Sequence, residues 1–114
     1  MRTFGVLAKE LLQMAAPTVE DVATENWSDF EPVETSSRAK IMRLWDEKTE
    51  TINKYWPPIP ADRLHETMKA FRQYEGRVND LILSVIDNNV HHRGQGYVYS
   101  RALGIEPPPF WERP

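Results

Sequence analysis

Apolar residues return every three or four positions in three stretches of the chain, and strict alternation is not sustained anywhere. Phe4, Leu7, Ala8, Leu11, Met14 and Ala15 share one helical face behind a capping Thr3, and Pro17 interrupts the pattern. This predicts a helix over 4–16. Residues 17–35 are acidic and lack a sustained period, so they read as a long connection with room for one helical turn near Val19–Ala23. Trp27 and Phe30 are expected to pin it. Ser36 or Ser37 can cap a second helix, over 37–56, whose stripe is Ile41, Leu44, Trp45, Ile52, Tyr55 and Trp56. Lys48 falls on that stripe, and Pro57 and Pro58 stop the helix. Pro60 opens a short helix over 61–68 with Leu64 and Met68 inward, and Gly76 closes the segment. A last helix spans 77–103, with Gly104 as its C-terminal cap and Pro107–Pro109 barring continuation. The tail, 105–114, is extended, and Phe110 and Trp111 are expected to dock. No strand is predicted. The class is all-α, an antiparallel helical bundle forming a single domain over 1–114.

Composition narrows the partners. The chain has 114 residues and a formal charge of −3, with Lys and Arg scattered, which argues against nucleic acid and against a polybasic membrane patch. No apolar run reaches the roughly 18 residues of a membrane span. Lys9 and Glu10 break the apolar start, so it does not read as a signal peptide. With no cysteine there is neither a disulfide framework nor a thiolate nucleophile. A cytoplasmic protein is expected.

The last helix holds the chemistry. At about 100° per residue, Val78, Leu81, Ile82 and Val85 set a core direction to which Tyr99 and Leu103 return. His92 lies near its centre, Asn88 and Asn89 flank it, and Gln95 sits at its edge; His91 and Arg93 are turned to the sides. Unpartnered buried groups of this kind cost about 1–3 kcal/mol each, against about 5–15 kcal/mol for a whole domain. They must therefore be satisfied by one another, by water, by a metal or by a ligand. Gly94 and Gly96 suggest close approach of another backbone or space for a ligand. The plainer alternative is a hydrogen-bonded core histidine with an asparagine pair that fixes helix register.

The segment "HHRGQGYVYSRALGIEPPPFWER" resembles the C-terminal signature of the DinB/YfiT-like superfamily, with its HHRGQ core and its "LG" followed by prolines. "RTFGVLAKEL" is similar to that family's second helix. The resemblance implies a four-helix bundle of a bacterial protein that holds a divalent metal, zinc or nickel in many members, on three histidines. Characterised relatives include transferases and isomerases that use small thiols. Carried over, the ligand positions fall on His92, on Asn88 one turn earlier, and on Glu10 in the first helix. Only one is histidine here. Carboxylate and amide oxygens suit harder ions, so zinc, nickel or manganese are the candidate cofactors, or none at all. His91 is a backup donor, His65 reads as surface, and Arg93 or Gln95 would orient substrate. The match begins at the family's second helix, implying a bundle without the first and an apolar groove that a second copy would fill as a symmetric homodimer.

Three functions compete on these readings. One is a divalent-metal-dependent transferase acting with a small thiol. Another is a non-catalytic DinB-like dimer whose metal site has become a structural or ligand-binding polar network. The third is an interaction module built on the acidic loop around Trp27.

Overall fold

A computed structural model describes residues 3–27, 29 and 32–112. Helix α1 spans Phe4–Thr24, α2 Arg38–Tyr55 and α3 Val78–Ala102; a 3-10 turn at Ala61–His65 and a hairpin, β1 Thr67–Ala70 and β2 Tyr74–Arg77, lie between α2 and α3. The fold is thus helical with one small antiparallel sheet. α1 is the central helix and packs along both α2 and α3, whereas α2 and α3 share little contact.

The helix starts follow the sequence. Thr3 Oγ1 accepts the amide of Val6 at 3.3 Å, and Ser37 Oγ accepts that of Lys40 at 3.3 Å, each satisfying one of the amides left over in a first turn. The end of α3 is equally direct. Gly104 takes a φ of +75°, where a Cβ would be strained, and Ile105 donates its amide back to Ser100 at 2.9 Å. The chain turns away there, so Leu103 is exposed and does not rejoin the core.

α1 corrects the expected boundary at 16. It runs through Pro17, which is buried inside it. A proline in a helix interior costs about 3 kcal/mol. Continuing the helix buries Ala16, Val19 and Val22 on one face with Leu12, and each large side chain so buried returns about 1.5–3 kcal/mol. The helix ends where Glu25 adopts a left-handed φ of 57°. The connection is therefore much shorter than 17–35. Trp27 does anchor it: its indole donates to Met68 Sδ at 3.2 Å, and its ring meets Phe71 edge-on. Phe30 lies outside the described residues.

The second correction is the short helix over 61–68. Only a 3-10 turn forms, to His65, and residues 67–77 pair as a hairpin with Thr67 opposite Arg77 and Ala70 opposite Tyr74. The turn carries Phe71 and Arg72 at positive φ, a conformation that costs a side-chain-bearing residue about 1–2 kcal/mol. Full burial of Phe71 beneath the turn offsets that cost. Phe110 and Trp111, expected to dock, instead stay exposed and pack edge-on against each other.

The core consists of Leu7, Ala8, Leu12, Ala16, Val19 and Val22 of α1, Val78 and Val85 of α3, and Ala70 and Phe71 of the hairpin. α2 contributes no buried residue.

Candidate polar site between α1 and α3

α3 brings His92 to the α1 interface two turns after Val85 and four after Val78, so all three share one line along the helix. The imidazole is buried and polar at both nitrogens. Nδ1 lies 2.7 Å from Gln95 Oε1, one turn on. Nε2 lies 3.0 Å from Glu10 Oε2, across the interface on α1. A carbonyl oxygen only accepts, so the contact with Gln95 favours the tautomer with its proton on Nδ1. The Nε2 lone pair then points along a short line to a carboxylate oxygen. Two lone pairs at that distance repel unless a proton or a cation lies between them.

Asn88 and Asn89 are half-buried on either side. Asn88 Nδ2 and Asn89 Oδ1 are buried and have no hydrogen-bond partner among the described residues. Leaving such atoms unmatched costs about 1–3 kcal/mol each, so the pair is prepared for something other than its neighbours. His91 is exposed and meets the His92 ring edge-on at 4.9 Å. Arg93 is exposed on the other flank of α3 and has no ion pair among the described residues. Gln95, expected to orient a substrate, lies in hydrogen-bonding contact with His92. The glycines do not mark a close approach: a Cβ at Gly94 would meet nothing within 4 Å, and one at Gly96 would only touch Leu7 at 3.8 Å.

His92, Glu10 and Asn88 can be tested as metal donors on this geometry. Metal bonds of about 2.0–2.2 Å from nitrogen and oxygen, held near a right angle, span an edge of about 3 Å. The Nε2–Oε2 separation matches that edge, and Gln95 occupies the outer position that orients a ligating imidazole. Asn88 can offer its amide oxygen, because its nitrogen end holds no bond that rotation would break. Among the described residues no group of three His, Cys, Asp or Glu side chains could hold a metal. The set fits an ion that accepts amide and water oxygens.

On the groove side, His92 and Asn89 open into an apolar cavity of about 660 Å³ between α2 and α3. Its floor is Phe4, Leu7 and Leu11 of α1; Met42 and Trp45 form one wall, Ile86, Val90 and Tyr97 the other, and Pro107 and Pro108 close one end.

Sequence reasoning missed Arg63. Its guanidinium donates to Val22 O at 2.8 Å and pairs with Glu25 at 3.4 Å and Glu66 at 3.0 Å. Val22 O belongs to the last turn of α1, whose carbonyls have no partner within the helix. Arg63 therefore ties the hairpin region to the end of α1. No spacing in the sequence announces a bond between residues 22 and 63.

Among the described residues no helix is long and apolar enough to cross a membrane. Comparison with curated proteins gives no match. The sequence profile of the DinB family matches residues 8–113, which include Glu10, Asn88 and His92. With nearly the whole chain covered, the protein belongs to the DinB family.

Proposed function

We propose that this protein holds one divalent cation between His92 Nε2 and Glu10 Oε2, with the Asn88 amide oxygen as a further donor. The remaining positions would be open to a small thiol. The observation that carries this reading is the placement of the two ring nitrogens: Nδ1 lies 2.7 Å from Gln95 Oε1, which accepts a hydrogen bond from a protonated Nδ1, and Nε2 lies 3.0 Å from a carboxylate oxygen. An oxygen-rich set of this kind suits a hard ion such as manganese. A cation held there supplies Lewis acidity, which lowers the pKa of a bound thiol or water and raises its nucleophilicity. The chain's own residues supply position and charge. Gln95 holds the imidazole orientation, Glu10 brings one negative charge to the interface, and Asn89 leaves a buried acceptor beside the groove. The reaction class that fits is transfer of a small thiol to an electrophile.

Elemental analysis of the protein purified without tag or chelator tests this. About one equivalent of a divalent metal per chain is expected, lost in His92→Ala and weakened about 10–100-fold in Gln95→Leu.

A second reading is favoured by the two partners that His92 already has. In it a proton lies between Nε2 and Glu10, and the cluster is a structural polar network in a non-catalytic protein. It predicts no metal after incubation with manganese, zinc or nickel. His92→Ala would then lower stability by about 1–3 kcal/mol through the bonds it removes.

A further inference from the structure

The hairpin is the element of the fold that stands least on its own. Its turn, closed by the Gln73 amide on Ala70 O at 2.9 Å, places Phe71 and Arg72 at φ of 51° and 57°. Tight hairpins ordinarily fill that left-handed region with glycine or asparagine. The strands are four residues each and, among the described residues, pair only with one another. An isolated two-stranded hairpin is marginally stable at best in water. Met68, Lys69, Ala70 and Gln73 prefer helix to strand. α3 begins directly after β2 with no side chain capping its first turn, so no local signal fixes Val78 as its start. The hairpin is therefore held from outside.

Trp27 supplies that hold. Its ring meets the buried Phe71 edge-on, 6.5 Å between centroids, and its indole N–H donates to Met68 Sδ at 3.2 Å. The Arg72–Asp29 pair, 3.5 Å apart with both side chains exposed, adds little. The Met68 sulfur is thus the acceptor through which the connection after α1 grips β1. Met68 is half-buried. Across the ladder it faces Gly76, which has no side chain to cover it, and a Cβ placed there would meet only Leu81 Cδ2 at 3.8 Å. The indole N–H occupies one lone pair of the sulfur and leaves the other for a small oxidant. With no cysteine in the chain, methionine is the sulfur that a peroxide finds here.

We propose that Met68 is a site of reversible oxidation by a peroxide, and that its sulfoxide releases the hairpin from Trp27. The sulfur donates its free lone pair to the terminal peroxide oxygen. The S–O bond forms as the O–O bond breaks, and the proton of the transferred oxygen moves to the leaving oxygen, which departs as water or an alcohol. Sulfur is oxidised and the peroxide is reduced. The sulfoxide sulfur carries positive charge, so it no longer accepts the indole N–H, and the new oxygen must be hydrated, which draws the side chain out of the contact. The hairpin then opens at its strained turn. Nothing in this inference draws on the cation reading at His92.

Peptide mass spectrometry with amide exchange on the full chain tests it, in a Met42→Leu background that removes the exposed competing thioether. Hydrogen peroxide is expected to add one oxygen to Met68. The amides of Gln73, β1 and β2 then exchange about tenfold faster, with those of the α1 core unchanged. Methionine sulfoxide reductase with dithiothreitol reverses both changes, and of the two epimer-specific reductases only one does so, because a single lone pair is open. Met68→Leu, which keeps the volume and takes no oxygen, makes the hairpin indifferent to peroxide. Met68→Gln, without peroxide, reproduces the faster exchange. The proposal is overturned if Met68 stays unmodified at a dose that converts free methionine, or if its sulfoxide leaves Gln73 exchange unchanged. A Met68→Leu hairpin that responds to peroxide as the parent does, or exchange that quickens equally in the α1 core, overturns it as well.

Discussion

α1 and α2 are both long amphipathic helices with a polar N-cap, yet they end in different environments. α1 buries nine of its residues. α2 buries none, although it carries Ile41, Met42, Leu44 and Trp45 in one short stretch. The cause is position. α1 has a neighbour on both sides, and its polar Glu10 meets His92 across the α1–α3 interface. Among the described residues α2 packs closely against α1 alone. Of its exposed apolar residues, Met42 and Trp45 line the groove. Amphipathicity states that a face wants covering; the neighbours decide whether it is covered. The polar cluster around His92 sits on the interface that α1 shares with α3, beside the cavity that α2 leaves uncovered.

The contrast can be broken most sharply by truncation. Leu12→Ala, in the α1 core, is expected to cost about 2–5 kcal/mol in urea unfolding. Met42→Ala, on α2, should cost less than about 1 kcal/mol, because its side chain is about half exposed. Equal costs would mean that α2 is as well packed as α1.

A smaller effect is expected at the end of α1. Arg63→Met keeps much of the side-chain stem and removes the bond to Val22 O and the ion pairs to Glu25 and Glu66. A hydrogen bond from a charged donor contributes about 1.5–3 kcal/mol, and the loss should show first as faster amide exchange in the last turn of α1 and in the hairpin. Uniformly faster exchange along α1 would contradict this local role.

The smallest effect belongs to the entry of α2. A hydrogen bond from Lys40, helped by Ser36, holds the Glu34 carboxyl at about 2 instead of the ordinary 4.5. The folded value is the lower one, so folding favours the ionised form. That contribution is complete above about pH 4.5 and is lost as the pH falls through about 2. Both side chains are largely exposed and screened by water. Glu34→Gln should therefore flatten the acid limb of the stability profile only slightly. A steep acid limb that survives Glu34→Gln would place its origin elsewhere.

The parts of this structure that could be read from the chain are those governed by local rules. Thr3 and Ser37 cap, Gly104 turns the chain, and Val78, Val85 and His92 follow helical spacing. The failures came where a distant contact outweighed a local preference. Pro17 looks like a stop, and burial of Val19 and Val22 carries the helix through it. Phe71 and Arg72 lack the glycine or asparagine of a tight hairpin, and the burial of Phe71 holds the turn in place of that residue. At the site, the core position of His92 and the nearness of Asn88 followed from spacing. The role of Gln95 did not, because a residue three positions away can reach the imidazole or the solvent equally well until the rotamers are known. The contact to Glu10 needed the packing of α1 on α3.

The most direct test of the account is the nitrogen-15 spectrum of the His92 side chain, recorded before and after manganese or its diamagnetic substitute zinc is added. The account predicts a protonated Nδ1 throughout and an Nε2 resonance that shifts or broadens at one equivalent of metal, with Gln95→Leu weakening the response. An Nε2 that carries a proton and does not respond to either metal at saturation would contradict it and leave the Glu10–His92 pair as structure alone.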